Sequence, residues 1–326
     1  MAYTDIDKPS DYFETKLYTG NGGTQSITGL DFQPNWVWIK DRDDTYKHIL
    51  VDSVRGATKH LASNSIAVEI TNTANVTSFT SDGFALSSDG NVNANADKYA
   101  SWNWKETATA GFDIVSFTGN GSARTISHSL SAVPKMYIVK NRSTADLQWR
   151  VYHASLGATK FMCLDASQAV GTASSVFNNT EPTSSVFSVG TDDAANKNGD
   201  SLIAYLFAEK QGYSKFGSYV ANGGGADSTF VYLGFKPAWI MVKKSSGTQS
   251  WYIGDNKRLG YNPKNENVNA DTSGAEFSQD NWDVLSNGFK IKNNGAGVGT
   301  DGDTYIYMAF AENPFVTSSG VPATAR

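Results

Sequence analysis

The chain is poor in several things that would otherwise narrow its chemistry. Cys163 is the only cysteine in 326 residues. No intrachain disulfide can form, and no thiolate cluster can hold a metal. No apolar run is long enough for a membrane-spanning helix. Residues 1–10 have neither the basic start nor the apolar stretch of an export signal, so synthesis and folding in the cytoplasm are expected. Net charge is −5 and the longest positive cluster is Lys243-Lys244, which argues against a phosphate backbone as partner. Four histidines and few glutamates leave little material for acid–base chemistry.

Aromatic residues and glycine are abundant, with 17 Phe, 15 Tyr, 8 Trp and 30 Gly. That composition suits a buried core built from short strands and many turns. Three stretches of about a hundred residues repeat one another. Leu17-Tyr-Thr-Gly-Asn-Gly22 returns as Val115-Ser-Phe-Thr-Gly-Asn-Gly121 and Gly217-Ser-Tyr-Val-Ala-Asn-Gly223. Pro34-Asn-Trp-Val-Trp-Ile-Lys40 returns as Pro134-Lys-Met-Tyr-Ile-Val-Lys140 and Pro237-Ala-Trp-Ile-Met-Val-Lys243. Val54-Arg-Gly-Ala-Thr-Lys59 matches Ser155-Leu-Gly-Ala-Thr-Lys160 and fades to Arg258-Leu-Gly-Tyr-Asn262. Asp97 to Trp104, Asp200 to Phe207 and Asp303 to Phe310 close each copy, with Glu106, Glu209 and Glu312 just beyond. Markers in the same order across three copies establish an internal repeat.

A unit of this size can carry its own core. The division is an N-terminal arm at 1–12, copies at 13–107, 111–210 and 213–315, and a tail at 316–326. The joins are short, so the copies are expected to touch. The proline-led run alternates Trp36 and Trp38 with Val37 and Ile39, apolar on both faces, as in a covered central strand. Trp102 with Trp104, Tyr205 with Phe207 and Met308 with Phe310 share faces in the closing strand. Segments 82–86 and 287–292 read as further short strands, and no window shows helical periodicity. The fold class expected is all-β: three tandem antiparallel β-sandwich domains, jelly-roll or lectin-like.

Candidate sites are few. The matched tryptophans interchange with other large apolar residues, as core positions do. Trp149, Trp251 and Trp282 lie in more polar stretches and are the surface candidates for ligand stacking. Asp89, Asn91 and Asn93 have the opening spacing of a calcium loop. Ala94 replaces the required glycine and Ala100 the closing glutamate, so turn chemistry is the better reading and no metal is expected. Gly-Ala-Thr-Lys lacks the spacing of a phosphate loop and reads as a tight turn. His48, His60, His128 and His153 are scattered, with His153 standing where the first copy has Asp52, and suggest no shared role. Glu106, Glu209 and Glu312 read as exposed strand-exit residues. No nucleophile motif is present, and neither a catalytic set nor a cofactor is expected.

Tyr18-Thr-Gly-Asn-Gly22, Pro34-x-Trp-Val-Trp-Ile-Lys-x-Arg42, Asp52-Ser-Val-Arg-Gly-Ala-Thr-Lys59, Ser81-Asp-Gly-Phe84 and Trp102-Asn-Trp-Lys105 together resemble a repeat domain of virion structural proteins from tailed bacteriophages, especially marine ones. Tyr213 to Tyr219 and Ala309 to Phe315 resemble that family's C-terminal end. The third copy departs from the pattern at Gly260-Tyr-Asn262, which suggests a different job for its middle loop. The resemblance implies a tail fibre or fibre-like component contacting the host surface, located in the virion. Its implied partners are other virion proteins and a host glycan or receptor, with a homo-oligomer, favouring a trimer. A capsid decoration or head-fibre protein using residues 1–12 as a docking arm is the first alternative. A surface-polysaccharide depolymerase is the second.

Overall fold

The computed structural model describes residues 2–224, 228–258, 262 and 266–322. In the first copy the strands Phe13–Thr19, Lys98–Trp104, Trp36–Asp41, Ile49–Asp52, Lys59–Leu61 and Ile70–Thr71 lie side by side in that order. The second copy repeats the order with Phe112–Thr118, Ser201–Ala208, Pro134–Asn141, Arg150–His153, Lys160–Cys163 and Gly171–Thr172. The third does so with Ser214–Val220, Thr304–Pro314, Phe235–Lys244, Trp251–Asp255, Glu266–Asn269 and Phe277–Ser278. Adjacent strands are antiparallel throughout. The chain is therefore all-β, built from several antiparallel sheets.

Each copy also has a small sheet. Gln25–Ile27, Gly83–Leu86 and Val76–Thr80 form the first, and Phe230–Tyr232, Gly288–Ile291 and Trp282–Leu285 the third. In the second copy only Arg124–Ser127 and Val186–Val189 pair, and a one-turn helix, Ser174–Phe177, occupies the stretch before Val186.

The central strands are covered on both faces, as their two-sided apolar pattern requires. Val37 and Ile39 join a cluster with Phe84 and Val92, between the first copy's two sheets. The second and third copies have matching local clusters. Trp36, Trp38, Trp102 and Trp104 face the opposite way, into a cluster shared by all three copies. There they meet Met136, Ile138, Tyr205 and Phe207 of the second copy and Trp239, Met241, Met308 and Phe310 of the third. Trp36 stacks on Tyr205 at 4.6 Å between centroids, and Trp104 meets Trp239 edge-on at 5.7 Å. Each copy thus has a buried cluster of its own beside one larger cluster that all three share. The largest cluster belongs to none of them, because the wider sheet of each copy turns its aromatic face to the other two.

The recurrent Thr-Gly-Asn-Gly block is a structural lock. A Cβ on Gly20 would sit 2.0 Å from the Ala94 carbonyl oxygen, so only glycine permits the approach. Asn93 Nδ2 then donates to Asn21 Oδ1 at 3.0 Å and to the Gly23 carbonyl at 2.6 Å. Asn196 and Asn120 repeat the arrangement in the second copy.

Candidate functional site

Trp149, Trp251 and Trp282 are not on the surface. Each is 0–1 % exposed. Trp149 Nε1 donates to the Ala62 carbonyl at 3.1 Å, and Trp251 Nε1 to the Cys163 carbonyl at 2.8 Å, each reaching back into the preceding copy. Trp282 packs in the small-sheet core of the third copy. The polar residues beside Trp149 and Trp251 in sequence do not bind these indoles, which cross to carbonyls of the preceding copy, and that is why polarity of the neighbourhood misled. His48 holds the matching place in the first copy. Its Nδ1 accepts from Trp38 Nε1 at 2.8 Å, which leaves the proton on Nε2 to donate to the Asn269 carbonyl at 3.0 Å. Burial, then the nearby Lys40 charge, keeps this imidazole neutral.

These contacts run in a ring, first copy to third, second to first, third to second. A second ring runs the other way. Asp52 accepts from the Tyr205 hydroxyl at 2.7 Å, His153 Nε2 donates to the Tyr307 carbonyl at 3.1 Å, and Asp255 accepts from Trp102 Nε1 at 3.0 Å. Asp52 and His153 therefore do share a role, contrary to expectation. Where the position is aspartate, an arginine three residues on completes it: Arg55 with Asp52, and Arg258 with Asp255, all fully buried side chains. Both arginines continue to a glutamate, Glu69 or Glu276, which in turn pairs with Arg142 or Arg42 of the next copy. In the second copy all of these change together, to His153, Leu156, Val170 and Ser245, and in place of the ion pairs the matched residues keep the backbone bond from Val170 N to Ser245 O at 3.2 Å. Losing one charge obliges the loss of its partners, since an unpaired buried ion costs several kcal/mol. Lys140 and Lys243 also bond across the seams, to the Ile66 carbonyl and to the Ser167 and Gln168 carbonyls, while the matching Lys40 bonds within its own copy. All three are fully buried and donate to loop carbonyls, and burial pulls each ammonium down to about 8. Lys243 thus contributes nothing to a basic surface.

The calcium-like loop is a cap. Asp89 Oδ1 accepts from Asn91 N at 2.7 Å and starts the one-turn helix Gly90–Asn93. The second copy repeats this with Asp192 ahead of Asp193–Asn196, a correspondence the sequence reading overlooked. Among the described residues no group of three His, Cys, Asp or Glu is disposed to hold a metal. Lys59 N closes the Gly-Ala-Thr-Lys turn on Gly56 O at 3.1 Å, as expected of a tight turn. Of Gly260-Tyr-Asn262, only Asn262 lies within the described residues; it exchanges two hydrogen bonds with the Val284 backbone. Glu106 is half-buried rather than exposed. Burial first, then the hydrogen-bonded Asp113 carboxyl, pushes it up to about 7. Two carboxyls in direct contact do not have the roughly 5–10 Å separation with which a glycosidase pair flanks its bond.

The site with the most open chemistry lies where the arm crosses the third copy. Tyr3 donates from its hydroxyl to the Gly234 carbonyl at 2.7 Å, and Thr4 from its own to the Gln211 carbonyl at 2.7 Å. Ile6 is buried in the shared cluster, which fixes the arm in place. Beneath the arm is a cavity of about 220 Å³ lined by Tyr3, Glu209, Gln211, Ser214, Lys215 and Tyr232, among others. Tyr232 is 50 % exposed and Phe230, two residues before it on the same strand face, is 44 % exposed. The Lys215 ammonium stands 5.6 Å from the Tyr232 ring centroid. Burial, then the Tyr232 hydroxyl, holds the Tyr3 phenol in its neutral, hydrogen-bonding form. Neither tyrosine stood out in the sequence, because Tyr3 reaches the site only through the path of the arm.

A single family model, the domain of unknown function DUF7483, matches residues 8–314, and the chain belongs to that family. The match spans all three copies at once, in keeping with a core that no one copy completes. No curated protein matches the chain.

Proposed function

We propose that this DUF7483 chain is a virion structural protein of a tailed bacteriophage, a tail fibre or fibre-like appendage component that meets the host surface. Each copy is read as a β-sandwich of the jelly-roll or lectin-like kind, its wider sheet against the common axis and its small sheet outward. One observation carries the reading. A single chain closes three copies around a common aromatic core, which makes a stiff body with three sets of outward loops. The trimer expected of a fibre is matched within one chain, so one chain per appendage axis is the stoichiometry this reading favours.

The decoration alternative needed the N-terminal arm as a docking device for foreign subunits. Here Tyr3, Thr4 and Ile6 are engaged by the chain's own third copy, which favours the appendage. The test is immunogold electron microscopy on purified particles of a phage encoding this protein. Label at the tail tip or its periphery is expected. Label spread over the head would make the protein a decoration subunit, and its absence from particles would overturn the virion reading.

A further inference from the structure

We infer that the third copy carries a saccharide-binding site, made by Tyr232 and Phe230 on the open face of strand Phe230–Tyr232 and by the cavity under the arm. This inference rests on the host-contact reading and names the ligand class for it.

The internal repeat supplies the control. Val231 opposes Phe289 across the strand pair, as Ile27 opposes Phe84 and Ile126 opposes Phe187. The residues on either side of this inward position are Ser26 and Thr28 in the first copy, Thr125 and Ser127 in the second, and Phe230 and Tyr232 in the third. All six are solvent-exposed. Two copies therefore hold the same backbone with small hydroxyl residues, and the strand has no packing need for rings. Large aromatics placed on water at matched positions mark a binding face rather than a core.

The surroundings specify what the rings meet. Tyr232 offers a flat apolar face, and its hydroxyl lies beside that of Tyr3. Around the same cavity stand a carboxylate (Glu209), an ammonium (Lys215) and an amide (Gln211), while the buried Ser214 hydroxyl is engaged with the Ala208 carbonyl and Lys210 N. A pyranose ring presents C–H groups on one face and hydroxyls at its rim, each both donor and acceptor. That is the complement of one aromatic plate ringed by mixed donors and acceptors. At about 220 Å³ the cavity falls below the roughly 300–1,000 Å³ of drug-sized pockets, so it takes one ring of a chain rather than a long segment. Phe230 lies outside the cavity and continues the apolar face for the neighbouring residue. Because Glu209 and Lys215 bring opposite charges, the ring expected is neutral. A protein segment docking on the two aromatics is the competing occupant, but it would make no use of the Glu209, Lys215 and Gln211 side chains around the cavity.

The variant that tests this is already written in the chain: Phe230→Thr with Tyr232→Ser, the residues that the second copy uses at the same places. Saturation-transfer NMR on the full chain would use the methyl glycosides of glucose, galactose, mannose and N-acetylglucosamine, and polysaccharide extracted from host cells. At least one probe is expected to receive saturation in the wild type, and the double variant to weaken it ten-fold or more with an unchanged thermal midpoint. Glu209→Gln should weaken it several-fold, which a purely apolar protein contact would not require. Absence of transfer from every probe overturns the saccharide site, as does equal transfer in the double variant. Binding of the labelled protein to whole host cells, measured alongside, separates the two claims. Cell binding that survives in the double variant removes this site but keeps host contact. No cell binding by the wild type removes both.

Discussion

Asp41→Asn is expected to stabilise the protein, and the structure sets how much. Asp41 is fully buried, and its Oδ1 accepts from Asp43 N and Asp44 N, both at 2.8 Å. Its Oδ2 has no hydrogen-bond donor and faces a second carboxyl, Asp97. Burial, then Asp41, Asp43 and Asp44, raises Asp97 above the usual carboxylate range. The other two copies resolve the same place differently. Asn141 keeps both turn bonds through Oδ1 and donates Nδ2 to Asp200 at 2.8 Å; Lys244 pairs with Asp303 at 2.5 Å. The substitution reproduces the second copy. It removes an unmet buried oxygen, which costs about 1–3 kcal/mol, and adds a charge-assisted bond of similar size. The two overlap, so about 2 kcal/mol is expected at pH 7, or ~3 °C in Tm for a chain of this length. The sign with pH follows from Asp97. A raised folded-state pKa means that wild-type stability falls as pH rises through it, whereas an amide in place of the Asp41 carboxyl donates to the ionised form and holds it. Scanning calorimetry in low salt at pH 3.5, 5.5 and 7.5 should show little difference at the first and the full gain at the last. A variant less stable than wild type at pH 7.5, or a gain independent of pH, would refute the opposition of the two carboxyls.

Glu106→Gln should be near neutral at pH 5 and stabilise by about 1–2 kcal/mol at pH 8. A group raised to about 7 favours folding while protonated and loses that advantage as pH rises, and partial exposure trims the size; urea midpoints at the two pH values check it. His153 is fully buried with its pKa lowered by burial to about 4, opposed by its bond to the Tyr307 carbonyl. The unfolded chain binds its proton first, so stability is lost as pH falls from about 6.5 toward 4, by up to ~3 kcal/mol. His153→Gln should flatten that limb of the acid-unfolding curve. At the first seam, Arg55→Leu alone is expected to cost about 3–5 kcal/mol by stranding the buried Asp52 carboxylate, while Glu69 keeps Arg142. Adding Asp52→His, the second copy's choice, should recover about 1 kcal/mol or more, read as a coupling energy in a double-mutant cycle.

Much of the fold could be read directly. Trp36 and Trp38 do part from Val37 and Ile39 to opposite faces, and Trp102 with Trp104 do share one, because strand alternation is a period-two rule that needs no tertiary context. What the two faces met could not be read that way. An aromatic face against its own small sheet and one against two other copies give the same pattern. Distance along the chain hid the cleft as well, since Tyr3 meets Gly234 across 231 residues. Trp149 and Trp251 were misplaced for a related reason: local polarity reports the loops beside a residue, and here the indoles turn away from those loops to carbonyls of the preceding copy. The pairing of Asp52 with Arg55 was hidden by His153, whose partner is a backbone atom. Met308 stands where the other copies have Tyr205 and Trp102, and a thioether is too weak an acceptor to answer a ring N–H, so the imidazole turns to the Tyr307 carbonyl.

That last substitution shows what three linked copies can do and three identical chains cannot. In a symmetric homotrimer every seam carries the same residues, so Asp52 could become histidine only at all three seams together. Linked in one chain, two seams retain buried ion networks while the third has His153, Leu156, Val170 and Ser245 in their place. The same freedom lets one copy expose Phe230 and Tyr232 where its siblings keep serine and threonine, and lets one N-terminal arm roof that copy alone. A homotrimer would have to present such a face three times, with three times the exposed aromatic surface and its risk of association. Single-chain threefold closure therefore separates the two tasks: the common core sets rigidity for all copies, and the outer strand of one copy is free to diverge toward a ligand.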